Sequence, residues 1–297
     1  QNVILLIGDG MGDSEITLAR NYALGASGRL DLDTLPVTGA YTTYSVQESD
    51  PALPDYVTDS AASGTAWATG TKTSNGRIST LAGSATVAPL TTIMEYAQRA
   101  GLRTGLVTTA ELTDATPAVM AAHVNDRLCQ GPADMAPCPA YAAEHGGPGS
   151  IAEQMVAHRI TVLLGGGRAR FTQRPAGRPG DNATVLDDAV RRGYRTVFDR
   201  TRLASVGPGR RVLGLFNEGN LTTEWTGAPA APFPGSGPQR CIEGQRARTT
   251  EPSLAEMTEA ALRVLGSGFF LQVEGASIDK QDHLQNPCAQ IGETVGF

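Results

Sequence analysis

Short apolar runs alternate along the chain with longer stretches in which apolar residues recur every three or four positions. A short run of this kind indicates a buried strand, whereas the longer spacing indicates an amphipathic helix. The expected strands are 2–7, 103–109, 160–164, 194–198 and 269–273. The expected helices are 14–23, 90–100, 151–158, 184–192 and 254–265, with helical character again at 290–295. This alternation predicts a doubly wound α/β fold with a largely parallel sheet flanked by helices.

Composition limits the class of protein. The chain has 297 residues, of which 40% are hydrophobic, so it can bury a large core. A membrane helix needs about 20 apolar residues, and the longest aliphatic run, 3–7, is far shorter. Prolines and glycines concentrate in 130–149 and 224–248, which we expect to be surface loops and not domain linkers. Residues 1–297 are therefore expected to form a single domain.

Charge and cysteine content indicate which classes of binding partner and which cellular compartments are compatible with the chain. The 24 basic and 30 acidic residues give a net charge of −6, without a basic cluster that would indicate nucleic acid. Four cysteines allow three pairings, of which the simplest are the sequential pairs Cys129–Cys138 and Cys241–Cys288. Reduced thiols and zinc ligands are the alternatives. Disulfides would indicate an oxidising compartment.

Residues 57–67, VTDSAASGTAW, place a serine at the expected start of a helix. The small residues after Ser60 suit a tightly packed helix, and the free N–H groups at a helix N-terminus favour a bound anion. A hydroxyl in that position can act as a nucleophile next to a bound phosphate. An ordinary helix cap formed by Asp59 and Ser60 is the alternative, and it is the more common use of such a pair.

Residues 274–283, EGASIDKQDH, follow an expected strand. Asp279 and His283 stand four residues apart, so on a helix they share one face. A carboxylate together with an imidazole suits zinc. A solvated helix face explains the same pair when it is considered alone.

Residues 109–117, TAELTDATP, also follow an expected strand. Asp114 and Thr116 offer the oxygen ligands that magnesium prefers. A turn before a helix is the alternative. Arg127, which we expect to close that helix, either interacts with the helix dipole or clamps an oxyanion through two hydrogen bonds.

Three acidic residues, Asp9, Asp114 and Glu274, each follow an apolar strand. The carboxyl ends of parallel strands meet at one edge of a sheet, so these side chains are expected to lie together. Hard acidic ligands from three strand ends indicate a metal site. The histidines outside these segments are expected to be structural or exposed: His123, His145 and His158.

The motif IGDGMG at 7–12 and the three segments above closely resemble bacterial alkaline phosphatases, and the similarity runs through all 297 residues. The resemblance implies a metal-dependent hydrolase that cleaves phosphate monoesters through a covalent phosphoseryl intermediate. It implies two zinc ions and one magnesium ion per subunit. It also implies a homodimer in the periplasm or secreted from the cell, with phosphate monoesters and inorganic phosphate as its ligands.

The resemblance also assigns roles to individual residues. Ser60 is the nucleophile, Arg127 clamps two phosphate oxygens, and Lys280 reaches the phosphate through water. The metal-binding residues are Asp9 between the second zinc and the magnesium, Ser60 at the second zinc, Asp279 and His283 at the first zinc, Thr116 and Glu274 at the magnesium, and Asp114 through a magnesium-bound water.

The family has a long further C-terminal section, which supplies an Asp-His pair to the second zinc and a last histidine to the first. This sequence ends before that section, so we expect a fragment, also trimmed at its N-terminus. Its C-terminal sheet strands would be missing, and one sheet edge would be unpaired. Its zinc sites would be incomplete, whereas its magnesium site would be complete.

Two other functions remain open from the sequence. One is a phosphodiesterase or sulfatase on the same fold, which Ser60 and Arg127 disfavour. The other is a truncated, non-catalytic protein that binds phosphate or metal, for which we expect saturable phosphate binding without turnover of a phosphate ester.

Overall fold

A six-stranded parallel sheet forms the centre of the molecule. The computed structural model describes residues 1–84, 86–177, 181–232, 234–235 and 237–297. The strands are β1 (Asn2–Gly8), β2 (Ser45–Val46), β3 (Pro54–Asp55), β4 (Arg103–Glu111), β5 (Val162–Gly166), β6 (Tyr194–Val197), β7 (Arg211–Leu215) and β8 (Phe269–Gly275). The central sheet has the order β1-β8-β4-β5-β7-β6, while β2 and β3 form a separate antiparallel pair. All neighbouring strands of the central sheet are parallel.

Helices cover both faces of this sheet. They are α1 (Asp13–Leu24), α2 (Ser60–Thr69), α3 (Ile93–Arg99), α4 (Ala115–Ala121), α5 (Ile151–Ala157), α6 (Arg168–Phe171), α7 (Val185–Arg191), α8 (Arg200–Ala204), α9 (Leu254–Leu265), α10 (Ser277–His283) and α11 (Pro287–Gly296). Successive side chains of a strand point to opposite faces, so Leu106 of β4 enters the core beneath α4 and α5 while Val107 enters the core beneath α9. The predicted doubly wound α/β fold is confirmed.

All five expected strands are present, but the sequence pattern missed β7, which lies between β5 and β6. This strand is short, and Gly214 interrupts its apolar run. A side chain at Gly214 would come within 2.5 Å of Phe216 and 2.7 Å of Leu164. The neighbouring side chains therefore fill the space that an apolar residue of β7 would otherwise occupy, which removes the usual signal of a buried strand.

The expectation that residues 2–7 form a buried strand was wrong in one respect. β1 is parallel to β8, as expected, but it is an edge strand. Val3, Ile4 and Leu6 are 37%, 47% and 60% exposed, and across the described residues no strand pairs with the outer edge of β1. An unpaired sheet edge is also expected from the sequence, and β1 forms such an edge in the described residues.

Two disulfides anchor the long loops to the body of the protein. Cys129 is bonded to Cys138 and Cys241 to Cys288, so the sequential pairing is confirmed. The second bond joins the loop 224–248 to α11. None of the helices in the described ranges has the length and apolar character needed to cross a membrane.

The two disulfides are expected to stabilise the fold to different extents. The bond between Cys241 and Cys288 closes a sequence separation of 47 residues, and the bond between Cys129 and Cys138 closes a separation of 9. Restriction of the unfolded chain predicts losses of roughly 4 and roughly 2.7 kcal/mol when the respective cysteine pairs are replaced by alanine. Urea unfolding of the two double variants measures both losses. The opposite order would show that the restriction of the unfolded chain is not the dominant effect.

Candidate active site

Acidic side chains meet at the carboxyl ends of β1, β8 and β4, which are neighbours in the sheet. Glu274 of β8 is in register with Ile7 of β1 and Thr108 of β4. Asp9 immediately follows β1, and Asp114 lies just beyond β4. The expectation that Asp9, Asp114 and Glu274 come together is therefore met by the topology of the sheet.

Ser60 is the first residue of α2, and its hydroxyl points to Asp9. Asp59 caps the helix, because its Oδ1 accepts a hydrogen bond from the N–H of Ala62 at 2.9 Å. Ser60 Oγ donates a hydrogen bond to Asp9 Oδ2 at 3.1 Å. The cap and the serine are thus two separate features of this segment. The positive end of the helix dipole lies next to a hydroxyl that a carboxylate already orients.

Asp9, which is half-buried, and Glu274, which is buried, are two carboxyl groups with raised pKa values. Burial, followed by the charge of Asp279, raises the pKa of Asp9 to about 6. Burial, followed by the charge of Asp9, raises the pKa of Glu274 to about 8, although Thr108 Oγ1 donates a hydrogen bond to Glu274 Oε2 at 2.6 Å. Carboxyl groups in such a setting either retain a proton or bind a cation. Thr116, which is 5% exposed and hydrogen-bonds Glu274, adds a further oxygen donor. This donor set fits a hard cation.

Asp114 forms ion pairs with two basic side chains, Lys280 and Arg127. Lys280 Nζ donates to Asp114 Oδ2 at 2.5 Å, and Arg127 Nη2 donates to Oδ1 at 2.9 Å. Burial on its own would raise the pKa of Asp114, but Lys280 and Arg127 outweigh it and hold that pKa at about 2. Asp114 therefore stays ionised, in contrast to Asp9 and Glu274, whose pKa values are raised.

Arg127 does not end a helix, contrary to the expectation from the sequence. Helix α4 stops at Ala121, and Arg127 lies in the loop that follows, where its N–H donates to the carbonyl of Gly76 at 2.7 Å. Its guanidinium reaches Asp114 and also donates to Asp59 Oδ2 at 3.2 Å. Arg127 thus connects the cap of α2 with the end of β4.

Asp279 and His283 lie on α10, on one face as expected. His283 Nε2 is 3.6 Å from Asp279 Oδ2. The N–H of Asp279 donates to the carbonyl of Asp9 at 2.9 Å, which fixes the start of α10 against the turn after β1. The side chain of His283 is 79% exposed, so its imidazole stands at the open side of the site.

One cleft of about 940 Å³ joins these groups. The predicted site residues that line it are Asp9, Ser60, Thr116, Arg127, Asp279, Lys280 and His283. Asp114 and Glu274 lie behind the cleft, since they contact Lys280 and Thr116, which line it. The structure therefore assembles in one place all of the metal-binding and catalytic positions predicted from the sequence, while their roles stay predictions.

Comparison with known proteins identifies the family. The family model for alkaline phosphatase matches residues 1–297. The chain belongs to the alkaline phosphatase family. It is 54% identical to streptomycin-6-phosphate phosphatase from Streptomyces griseus, covering 100% of this chain and 68% of that protein. It is 49% identical to alkaline phosphatase from Escherichia coli K12, covering 99% and 64% of the two chains.

Solved alkaline phosphatases also share the fold. A mutant of the TAB5 alkaline phosphatase, solved with magnesium bound, has a TM-score of 0.71 and 25% identity, covering 99% of this chain and 70% of that one. The match to a family that uses metal ions agrees with the donor set of Asp9, Glu274 and Thr116. This alkaline phosphatase chain spans 64% of the E. coli relative.

Several residues that build the site were not identified from the sequence. Thr108 reaches Glu274, and Thr109 Oγ1 accepts a hydrogen bond from the N–H of Ala276 at 3.0 Å. Asp59 holds Arg127 in addition to capping α2. These contacts join positions far apart in the chain. Their sequence signals are ordinary strand threonines and an ordinary helix cap, so only the sheet register reveals them.

Gly10 is expected to control the distance between Asp9 and Asp279. It has φ +69°, and a Cβ there would lie 2.6 Å from Asp279 Cα. Gly70 has φ +74° with no neighbour within 4 Å, so Gly70→Ala carries the same backbone strain without the contact. We expect Gly10→Ala to destabilise the fold by at least about 1 kcal/mol more than Gly70→Ala. Urea unfolding measures the difference, and equal losses would contradict the close approach.

The raised pKa values of Asp9 and Glu274 predict a pH dependence for the stability of the metal-free protein. The pKa values of Asp9 and Glu274 rise from 3.8 and 4.5 to about 6 and about 8 in the folded state. The folded state therefore binds more protons between about pH 4 and pH 8. Its free energy of unfolding falls as pH rises through this window.

We expect chelator-treated protein to be less stable at pH 8.5 than at pH 5 by about 2 kcal/mol or more. Glu274→Gln should flatten the decline between pH 6 and pH 8, and added magnesium should restore stability at pH 8.5. Urea unfolding across this pH range is the measurement. A decline of equal steepness in Glu274→Gln would assign it to other groups.

Proposed function

We propose that this chain carries the nucleophile and the phosphate-binding groups of a metal-dependent phosphomonoesterase. The observation that supports this most directly is the hydroxyl of Ser60. It lies at the N-terminus of α2, is hydrogen-bonded to Asp9 at 3.1 Å, and opens onto the same cleft as Arg127. A phosphoryl group in this cleft would meet a helix N-terminus and a guanidinium, both of which favour its negative charge.

The proposed reaction has two displacements. Ser60 Oγ forms a bond to phosphorus while the bond from phosphorus to the ester oxygen breaks, and the alcohol leaves with a proton. Water then attacks the phosphoseryl group, which releases inorganic phosphate and returns the hydroxyl to Ser60. Asp9 orients this hydroxyl, whereas Arg127 neutralises charge on the non-bridging oxygens. Lys280, which is 2.5 Å from Asp114, adds positive charge behind the phosphate site.

We further propose that two zinc ions and one magnesium ion serve this site. Asp9, Glu274 and Thr116 would hold the magnesium, with Asp114 acting through a bound water. Asp279 and His283 would hold one zinc, and Asp9 with Ser60 the other. Bound zinc stabilises a serine alkoxide and the charge on a leaving oxygen. The elevated pKa values of Asp9 and Glu274 support cation binding, since a cation would take the place of the retained protons.

The assembly, location and substrate are also proposals. Both disulfides support an oxidising compartment, such as the periplasm or the outside of the cell. The family match supports a homodimer that accepts a range of phosphate monoesters. The name of the S. griseus relative makes streptomycin 6-phosphate a second substrate to test beside a simple aryl phosphate.

Ser60→Ala should abolish ester hydrolysis, because no other group in the proposal forms the bond to phosphorus. We expect turnover of an aryl phosphate at alkaline pH to fall by about 10³-fold or more in the full-length zinc- and magnesium-loaded protein. Ser84→Ala is the matched control, since Ser84 does not line the cleft. Within the described ranges, its hydroxyl hydrogen-bonds Thr86, and its carbonyl accepts a hydrogen bond from Arg77.

Acid quenching with a radiolabelled ester should trap label on Ser60 in the parent protein and none in Ser60→Ala. Saturable phosphate binding without turnover in the parent protein would instead support a non-catalytic binding protein. A higher rate on diesters than on monoesters would support a phosphodiesterase. Either result would overturn the proposal.

A further inference from the structure

A second group of metal-ligand side chains lies outside the cleft. Glu95 of α3, His123 in the loop after α4, and His158 at the end of α5 each place one ligand atom within 4.8 Å of the others. Among the described residues, no other three His, Cys, Asp or Glu side chains meet as closely. None of the three lines the cleft that holds Ser60.

The hydrogen bonds of His123 direct one ring nitrogen into this group. His123 Nδ1 is 2.9 Å from the carbonyl oxygen of Ser79, which can only accept, so Nδ1 carries the proton. In the neutral ring, Nε2 then presents its lone pair to Glu95 Oε1, which is 3.4 Å away. Two acceptors facing each other need a cation or a proton between them. Ligating histidines commonly donate their other N–H to a carbonyl in this way.

Glu95 is also held in place by bonds that leave one oxygen for the group. Its Oε2 accepts the N–H of Thr92 at 2.8 Å, in the capping box of α3. Its Oε1 is the atom that faces His123. Zinc bonds of about 2.0–2.1 Å in tetrahedral geometry place two ligand atoms about 3.3 Å apart, which is close to the observed 3.4 Å.

His158 completes the group and opens it to solvent. The rings of His123 and His158 have centroids 6.1 Å apart, and both rings line a cavity of about 410 Å³. The hydrogen bonds found at His158 within the described ranges are made by its backbone, so its ring has a nitrogen to offer. The cavity leaves room for a water or an anion as a fourth ligand.

We propose that Glu95, His123 and His158 form a zinc-binding site that is separate from the catalytic cleft. Two imidazoles and one carboxylate form a donor set that suits zinc better than magnesium. The ion would tie together α3, the loop after α4 and α5.

The site would also steady the framework of the catalytic residues. The carbonyl of Ser79 accepts the hydrogen bond from His123 Nδ1, and the N–H of Ser79 donates to Thr65 Oγ1 at 2.9 Å. Thr65 belongs to the helix that begins at Ser60. Arg127 follows His123 by four residues in the same loop. Zinc at this site is therefore a positioning element for α2 and for the Arg127 loop, not a participant in the reaction.

The test counts zinc bound to the full-length protein. Metal-free protein is loaded with zinc, passed through a desalting column and analysed for zinc per chain, in parallel with His158→Gln and Glu95→Gln. Glu95→Gln keeps an acceptor for the N–H of Thr92, so it preserves the helix cap while removing the negative ligand. We expect each variant to lose one zinc per chain, or to bind that zinc at least tenfold more weakly.

His145→Gln is the matched control. His145 Nδ1 also donates to a carbonyl, that of Pro139, at 2.9 Å, but His145 is not part of the group. This variant should retain the zinc content of the parent protein. Equal zinc content in the parent, His158→Gln and Glu95→Gln would overturn the proposal and leave a simple ion pair between Glu95 and protonated His123.

Crystals soaked in zinc give a second readout. An anomalous peak at the zinc edge is expected about 2.0–2.1 Å from His123 Nε2 in the parent protein. The same peak should be absent from His158→Gln crystals, while any peak at Asp279 and His283 stays. A map with density at the catalytic cleft alone would contradict a second site without bearing on the proposed phosphatase function.

Discussion

The buried and half-buried carboxyl groups at the ends of β1, β8 and β4 are the constraint on which the site depends. Parallel strands bring Asp9, Glu274 and Asp114 to one edge of the sheet, where burial makes negative charge unfavourable. Lys280 and Arg127 neutralise Asp114 from within the protein. Among the described residues, no lysine or arginine forms an ion pair with Asp9 or Glu274, and their pKa values are raised to about 6 and about 8. The fold thus places Asp9 and Glu274 where a bound cation would be favourable, and it does so without any ligand present.

The ion-paired carboxylate of Asp114 and the carboxyl groups of Asp9 and Glu274 have different proposed functions. The ion pairs of Asp114 with Lys280 and Arg127 fix cationic side chains at the wall of the cleft, where a phosphoryl group would need them. In the proposed site, Asp9 and Glu274 would instead provide oxygen ligands for metal. If Asp9 and Glu274 had lysine or arginine partners of their own, the negative charge that attracts a metal ion would already be satisfied. The uneven placement of basic residues is therefore part of the site.

The sequence was most informative where one local pattern determines the structure. The apolar runs located five of the six strands of the sheet, and the strand ends identified Asp9, Asp114 and Glu274. It was least informative where neighbours decide the outcome. The strand order places β1 at an edge of the sheet. The apolar run of β7 is interrupted at Gly214, because Leu164 occupies the space that a side chain there would need. The early end of α4 and the histidine group likewise depend on contacts between distant segments, which no local periodicity records.

Asp59 shows how such contacts connect a local feature, the helix cap, with the proposed catalytic site. Its Oδ1 caps α2 and so fixes the first turn that carries Ser60. Its Oδ2 accepts from the N–H of Gly76 at 3.0 Å and from Arg127 at 3.2 Å. One carboxylate therefore sets the positions of both Ser60, the proposed nucleophile, and the Arg127 guanidinium that is proposed to bind phosphate. The ordinary helix cap and the functional interpretation of this segment are not alternatives, because the carboxylate that caps the helix also holds Arg127 near Ser60.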